Sequence, residues 1–332
     1  MLARRLAAVL LLLLAAGAAA AACRGEGLLS DLSDDERAVL DAADREPHGT
    51  GLLWRATKGD RTVLAVGTMH LADPRLGALL DRVRPHLEEA DLLLLEATGE
   101  ELARVEALPA EEPDRVFLRD EPTLVERLGD ADWAVVSRAA EAVGVPGFMA
   151  AQFRPFYLLL AISVPPCAME GIVSGRPGLD LLIEEEAAAL GIPARALEPY
   201  DTVIEVSETM SDEDALAFLV ATAQAPGLTE AAMVSLLDLY FDGRGAAAMA
   251  LNDVTVERMP GLTEAERAAV TGWFEGALVA ERNRAWIGPI EEAARAGSPV
   301  MVAVGAAHLP GEEGVLALLA ERGWRVEPLD AR

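Results

Sequence analysis

The chain has 332 residues, with 28 Lys or Arg against 55 Asp or Glu, so its formal net charge is −27. This excess of acid disfavours nucleic acid and anionic membrane surfaces as electrostatic partners. The length allows one large domain or two small ones, and a hydrophobic share of 52% provides ample material for a core.

The first 23 residues predict an export signal. The Arg4-Arg5 pair forms a positive n-region, Leu6–Leu14 an apolar segment, and Ala18–Ala22 a run of small residues suited to cleavage. Cys23 follows at once, as in a bacterial lipoprotein signal. We therefore expect an exported protein that a lipid on Cys23 anchors to the membrane, with periplasmic secretion or an uncleaved anchor as the alternatives.

The chain has two cysteines, and the second is Cys167. If Cys23 carries a lipid, Cys167 is left unpaired. This interpretation excludes a disulfide framework, and the fold then depends on its core alone.

A polar stretch over residues 24–50 is predicted to form a tether. Within it, Ser33 or Asp34 is expected to cap a short helix over Glu36–Asp44. His48 lies among turn-forming residues and is expected to be an exposed loop histidine.

Two strands open the single domain that we predict over residues 51–332. They are Leu52–Ala56 and Arg61–Val66, joined by a tight turn. Gly67 lets the backbone turn sharply after the second strand, and His70 follows on the loop beyond. In open α/β sheets this edge is where ligands bind.

A helix is predicted after this loop, with Asp73 as its N-cap and Pro74 as its first residue. His86 lies near the end of that helix, where a cation is favourable, and is assigned a structural role.

Four leucines, Leu92–Leu95, predict a buried parallel strand that completes a β-α-β unit. Glu96 follows directly, at the same edge of the sheet as His70. A buried carboxylate requires a partner such as a metal ion or a histidine. The alternative is a solvent-facing glutamate that starts the next loop.

The middle of the chain, at about residues 100–290, is predicted to be a helical insertion. Pro165-Pro166 is expected to stop one of its helices, and Ile192–Leu197 is expected to form a short strand that ends at Glu198. The other segments are predicted to be helical by spacing: Trp133–Val143, Gln152–Val164, Gly178–Ala189 and residues 211–225, 229–242 and 263–284.

The strand–Gly-x-x-His pattern returns near the C-terminus. The strand Pro299–Val304 is followed by Gly305 and His308, and then by a helix over Gly314–Glu321 and a closing strand over Trp324–Pro328. Two of the four histidines thus follow similar strands at the same offset. We expect them to meet at one edge of the sheet; the alternative is a chance repetition. The fold class is α/β, with a mixed sheet flanked by helices and built from two related β-α-β halves.

Several motifs occur in a characteristic order: Gly67-Thr68-Met69-His70, Glu96, Pro177-Gly178-Leu179-Asp180, Leu197-Glu198, Glu281-Arg282-Asn283 and Gly305-Ala306-Ala307-His308-Leu309-Pro310-Gly311. Together they resemble the TraB/GumN family, which includes the TIKI-type proteases. The resemblance extends from about residue 50 to the end of the chain. It implies a mixed sheet flanked by helices, related to the erythromycin-esterase and ChaN-like fold.

The resemblance also implies a divalent-metal-dependent peptidase. Carried over to this chain, the ligands are His70, Glu96 and His308, which leave room for a water molecule on Mn, Co, Zn or Fe. Asp180 and Glu198 are expected to orient a ligand histidine or to act as general base. The alternatives are a helix N-cap for Asp180 and a surface loop for Glu198.

Arg282 is expected to be the oxyanion or carboxylate clamp, because its planar fork gives paired hydrogen bonds. Asn283 is expected to orient the substrate. The alternative for both is an exposed helical face with ordinary ion pairs.

Three functions follow as hypotheses. The first is a cell-envelope metal-dependent hydrolase, a TIKI-like metallopeptidase, acting on a peptide or small-molecule substrate. The second is a metal-free, esterase-like hydrolase, in which a histidine activates water and whose activity survives chelators. The third is a ChaN-type lipoprotein that binds haem or iron and shows little turnover.

Overall fold

One six-stranded mixed sheet forms the centre of the molecule. The computed structural model describes residues 23–119 and 121–329, so the predicted export signal before Cys23 lies outside the described residues. The strands are β1 (Leu53–Lys58), β2 (Arg61–Thr68), β3 (Leu92–Leu95), β4 (Ala194–Ala196), β5 (Val300–Gly305) and β6 (Arg325–Pro328).

The strand order is β4-β3-β5-β2-β1-β6. The strands β4, β3, β5 and β2 run parallel, whereas β1 is antiparallel to both of its neighbours. The central strands β2 and β5 are apolar and buried on both faces, as parallel strands covered by helices must be. The predicted α/β fold with a mixed sheet is thereby confirmed.

Helices cover both faces of the sheet. Those that precede β4 are α1 (Asp34–Ala43), α2 (Leu76–Leu87), α3 (Gly99–Glu111), α4 (Pro113–Val116), α5 (Leu124–Ala142, interrupted at Gly129), α6 (Gly147–Ala150), α7 (Pro155–Ser163), α8 (Pro166–Val173) and α9 (Leu179–Leu190). Those that follow it are α10 (Thr202–Ser207), α11 (Asp212–Gln224), α12 (Pro226–Phe241), α13 (Gly245–Arg258), α14 (Glu264–Trp273), a π-helix (Phe274–Ala280), α15 (Glu281–Ala293) and α16 (Val315–Glu321).

Two cores lie on opposite sides of the sheet because successive strand residues point to opposite faces. Leu93 and Leu95 pack with α2 and α9 on one face. Leu94 packs with α15 and α16 on the other face. The stretch predicted to be an insertion therefore also supplies β4 and two of the helices that cover the sheet.

The β-α-β unit β2-α2-β3 has a strand inserted into it. β5 pairs with β2 on one side and with β3 on the other, so the two strands of the unit are not neighbours. Thr68 is the register partner of Gly305, which places the two Gly-x-x-His loops side by side.

The stretch predicted to be a tether, residues 24–50, packs against the domain. Ser33 and Glu36 form a capping box at the start of α1, as expected. Arg258 of α13 donates hydrogen bonds to Glu36. His48 is half-buried, with its ring 4.9 Å from that of Trp54, so the expectation of an exposed histidine was wrong.

The local expectations for the helices were confirmed only in part. The helix after His70 begins at Leu76, and the Asp73 carboxylate instead accepts from the backbone and side chain of Arg75. The helix α7 ends at Ser163, before Pro165-Pro166, as expected, but Pro166 then opens α8, because proline fits the first position of a helix. The Ala-rich helix α13 was not predicted, and the segment predicted over 263–284 contains a π-helical stretch.

A disulfide bond joins Cys23 to Cys167 of α8. The expectation of an unpaired Cys167 was therefore wrong. A sulfur engaged in a disulfide cannot also form a thioether to a lipid, so the bond and lipidation of Cys23 exclude each other. Both side chains join the core on the α2 and α9 face of the sheet.

No single helix in the described part of the chain is both long and apolar enough to cross a membrane. One bent pair, α7 with α8, meets the criteria of length and composition when the two helices are taken together, with a bend of 100° between them.

Candidate functional site

The edge formed by the ends of β2, β3 and β5 brings His70, Glu96 and His308 together. Glu96 Oε1 accepts a hydrogen bond of 2.5 Å from the backbone N–H of Gly305. The same oxygen lies 4.0 Å from His70 Nε2 and 3.8 Å from His308 Nε2. The structure therefore places two histidines that are far apart in sequence beside one carboxylate.

Gly305 is required here by close approach. A Cβ atom on this residue would lie 3.1 Å from Glu96 Oε1 and 3.6 Å from His70 Nε2. A larger residue would push the carboxylate away from both imidazoles. The glycine of the second Gly-x-x-His motif thus allows the backbone to approach the three side chains.

Asp180 supports His70 from the start of α9. His70 Nδ1 lies 3.3 Å from Asp180 Oδ2, and 60% of the His70 side chain is exposed whereas Asp180 is buried. Met69 O accepts a hydrogen bond of 2.8 Å from Leu179 N–H. Gly178 rather than Asp180 is the N-cap of α9, so the alternative reading of Asp180 as a helix cap was wrong.

The charges around His70 favour its protonated form. Desolvation lowers the pKa of His70, but the contact with Asp180 and the negative charge of Glu96 outweigh it and raise this pKa to about 9. The other carboxylate oxygen, Asp180 Oδ1, is buried and has no hydrogen-bond partner among the described residues.

The surroundings of His308 favour its neutral form, in contrast to those of His70. It is buried, its Nδ1 lies 2.7 Å from Asn283 Oδ1, and Asn283 Nδ2 donates to Glu313 O. Because the amide NH₂ is used on the Glu313 carbonyl, Nδ1 of His308 must be the protonated nitrogen, which leaves a lone pair on Nε2. Desolvation lowers the pKa of His308 to about 4, against the attraction of Glu96.

Arg282 connects the two acidic residues of the site. Its Nη2 donates to Glu96 Oε2 at 2.8 Å, and its Nε donates to Glu198 at 3.1 Å. Its Nη1 donates to the carbonyl of Leu278, which belongs to the π-helix. Arg282 and Asn283 are buried, so the alternative of an exposed helical face was wrong for both.

Glu198 lies inside the site and not on a surface loop, so that alternative was also wrong. Its Oε2 accepts a hydrogen bond of 2.9 Å from Trp286 Nε1. The Trp286 ring lies 4.6 Å from the His308 ring and 4.9 Å from the Arg282 guanidinium carbon. Sequence reasoning missed Trp286, although its spacing of four residues from Arg282 places both on one face of α15.

Glu96 remains ionised in this environment. Burial alone would raise the pKa of Glu96. At the low pH where this carboxylate titrates, both histidines are charged, and His308, His70, Arg282 and the Gly305 N–H together bring its pKa down to about 2, whereas near neutral pH His308 is uncharged. The site thus holds a carboxylate, a cationic and exposed imidazole, and a neutral and buried imidazole.

The nitrogen and oxygen donors at this edge of the sheet are of the kind that bind a divalent metal ion, but the distances between them are longer than those between the ligands of a bound ion. Both Nδ1 atoms are held by oxygen atoms and both Nε2 atoms face Glu96, which is the usual arrangement of metal-binding histidines. The contacts of 3.8 and 4.0 Å exceed the distance of about 3.3 Å that follows for two ligands of a tetrahedral zinc ion. In the described residues, no group of three or more His, Cys, Asp or Glu is arranged to hold an ion.

A cavity of about 670 Å³ is lined in part by Pro310, Gly311, Glu312 and Glu313, which follow His308 in the chain. The described residues that line it include no Lys or Arg, and they do not include His70, Glu96 or His308. Burial and the charge of Glu275 raise the pKa of Asp253, on its wall, to about 6. The acidic residues of this wall are Glu46, Asp253, Glu275, Glu312 and Glu313.

Comparison with known proteins gives one family. The model of the TraB/PrgY/gumN family matches residues 52–328. No curated protein matches the chain. The matched region contains every residue of the site described above.

Proposed function

Because the chain belongs to the TraB/PrgY/gumN family, we propose that it is a metal-dependent hydrolase of the cell envelope, acting on a peptide or small-molecule substrate. One observation carries the proposal. The Nε2 atoms of His70 and His308 face the same oxygen of Glu96, while Asp180 and Asn283 hold the opposite nitrogens.

His70, Glu96 and His308 would hold a divalent ion such as Mn, Co, Zn or Fe. When bound, such an ion lowers the pKa of its water toward neutrality and polarises a carbonyl group. Asp180 and Asn283 fix the ring orientations, so that both Nε2 atoms remain directed at the ligand position.

Arg282 supplies the fixed positive charge of the site. Its guanidinium is buried and already donates to Glu96 and Glu198, so its position is defined before a substrate arrives. A preorganised cation stabilises the negative charge that develops on a carbonyl oxygen during hydrolysis. Glu198 and Trp286 hold Arg282 in place.

The envelope location is proposed from the N-terminal sequence. Residues 4–22 have the charge and hydropathy pattern of an export signal. A disulfide between Cys23 and Cys167 also favours an oxidising compartment outside the cytoplasm.

A metal-free hydrolase is the second candidate, and one contact favours it. Arg282 Nη1 lies 3.4 Å from His308 Nε2, so the lone pair of this nitrogen already faces a hydrogen-bond donor. In that case the neutral form of His70, which is the minor form below its pKa of about 9, would accept the proton of the attacking water through Nε2, with Asp180 orienting the ring.

Metal content separates the two candidates. The full chain and its His70→Ala and His308→Ala variants would be analysed by plasma mass spectrometry after reconstitution with each ion. His86→Ala is the matched control, since His86 contacts Glu89 outside the site. We expect one ion per chain in the wild type and in the control, and none in the two site variants. Activity against peptides or esters without any bound ion would support the metal-free candidate instead.

A further inference from the structure

The helices α7 and α8 form an elbow with a single charged residue, Glu170, in a very acidic protein. Residues 155–169 contain no Asp, Glu, Lys or Arg, although charged residues make up 25% of the chain. The next charged residue, Glu170, lies 3.9 Å from Arg176 Nη2. The elbow is therefore locally neutral where the rest of the surface carries a large negative charge.

Apolar side chains of this elbow face solvent. Leu160 of α7 is 45% exposed, and Ile172 and Val173 of α8 are 48% and 79% exposed. Single exposed apolar residues are common on soluble proteins, but here three lie within two short consecutive helices whose one charged residue, Glu170, is near Arg176. The two helices are bent by 100°, so this segment does not form one straight span.

The described part of the chain begins at the α7–α8 elbow. Cys23 is the first described residue, and its disulfide fastens it to Cys167 in the first turn of α8. It is preceded by residues 6–22, which are apolar and uncharged, and these follow Arg4-Arg5. Cys23, which follows the apolar N-terminal sequence directly, is therefore fastened to α8.

We propose that the exposed apolar side chains of the α7–α8 elbow, Leu160, Ile172 and Val173, dock onto the surface of a lipid bilayer. An apolar helix face that lies in the headgroup region buries its side chains without crossing the membrane. A neutral face suits this contact, because the remaining surface is repelled by anionic lipids.

The docking surface also positions the candidate site. A Cβ atom on Gly171 of α8 would lie 3.4 Å from the Cβ of Ala72, two residues after His70. Gly178, between α8 and α9, lies against the His70 backbone. Contact of the elbow with lipid therefore brings the loop of His70 close to the membrane surface.

Quenching by brominated lipid tests the contact. The full chain, with Val173→Trp, would be reconstituted in phosphatidylcholine vesicles whose acyl chains carry bromine. Leu190→Trp is the matched control, because Leu190 is 44% exposed at the far end of α9. Circular dichroism would confirm that both variants are folded.

We expect the added tryptophan to be quenched in Val173→Trp and not in Leu190→Trp. Adding Ile172→Glu to the Val173→Trp chain should decrease the quenching, whereas adding Leu190→Glu should not. Equal quenching at both positions, or none at either, would overturn the proposal. A blue-shifted but unquenched Val173→Trp emission would also overturn it, since it would show that the elbow is covered by protein.

Discussion

Trp286 holds three groups of the candidate site in place. It donates to Glu198, and its ring contacts His308 and the Arg282 guanidinium. The substitution Trp286→Phe keeps an aromatic ring but removes the N–H donor. Because Glu198 is charged, the lost hydrogen bond should cost about 1.5–3 kcal/mol of unfolding free energy, measured by urea denaturation. The substitution should also reduce metal content or hydrolytic activity.

Trp324→Phe is the control for this prediction. Trp324 is also buried and donates its Nε1–H to a glutamate, Glu291, at 3.1 Å, but its ring lies 5.1 Å from Arg61 at the start of β2, whereas Glu96 follows the end of β3. Both variants should lose stability, and only Trp286→Phe should affect the site. If the two variants behave alike in metal binding and activity, Trp286 has no positioning role.

Glu96 predicts a particular dependence of stability on pH. Its pKa is about 2 in the folded protein, against the ordinary value of 4.5. Its contribution is therefore fully present above pH 4.5 and is lost as the pH falls toward 2. The shift corresponds to about 3 kcal/mol, as an order of magnitude.

Urea denaturation at several pH values from 5.5 to 3 would measure how the free energy of unfolding changes with pH. We expect Glu96→Gln to be less stable than the wild type at pH 5.5, because Arg282 loses a charged partner, and to show a flatter decline below pH 4.5. Glu185→Gln, at an exposed position on α9, should follow the wild type. A parallel decline in all three proteins would show that Glu96 does not contribute.

Some residues of the site could be predicted from sequence and others could not. His70, Glu96 and His308 follow apolar strands, and strand ends meet at one edge of a parallel sheet, so their proximity follows from pattern alone. Trp286 carries no such signal, because a tryptophan on a helix usually belongs to the core. Its role depends on the position of α15 relative to Glu198, which is a matter of tertiary packing.

At the scale of elements, the contact between the His70 loop and α9 is unusually close. A Cβ atom on Gly178 would lie 2.5 Å from the carbonyl carbon of His70 and from the Met69 carbonyl oxygen. Because these are backbone atoms, the neighbours cannot yield by changing rotamer. The substitution Gly178→Ala should therefore cost about 1–3 kcal/mol and should displace His70 from Asp180. Thermal unfolding and metal content would measure the two effects.

Gly77→Ala is the matched control. Gly77 lies in α2, and a Cβ atom there would meet no heavy atom within 4 Å. Alanine in a helix is more favourable than glycine by about 1 kcal/mol, so this variant should be as stable as the wild type or more so. If Gly178→Ala behaves like Gly77→Ala, the close contact has no energetic consequence.

The prediction of elements succeeded where the hydrophobic pattern was strong. The leucine run of β3 and the apolar run of β5 were located within a residue of their observed bounds. The helix α13 was missed, because its Gly-Ala-rich start gives no amphipathic signal and its burial comes from α1 and α12 on both sides. The helix α8 was missed because proline is read as a helix breaker unless it occupies the first turn.

At the scale of the whole molecule, the disulfide joins positions 144 residues apart. Closing so long a loop restricts the unfolded chain, and we expect the disulfide to raise the free energy of unfolding by about 2–5 kcal/mol. Cys167→Ser should lower the melting temperature, and a reductant should lower that of the wild type but not that of the variant. If the reductant has no effect on the wild type and mass spectrometry finds a lipid on Cys23, the disulfide is absent from the native protein.

The position of β5 affects when the candidate site can form during synthesis of the chain. The strand is among the last segments to be made, yet it lies between β2 and β3 and supplies Gly305 and His308. A nascent chain that lacks it has a gap in the centre of its sheet and cannot form the site. Pairing strands so distant in sequence is also slow. The order of synthesis therefore delays the assembly of the candidate site until nearly the whole chain has been made.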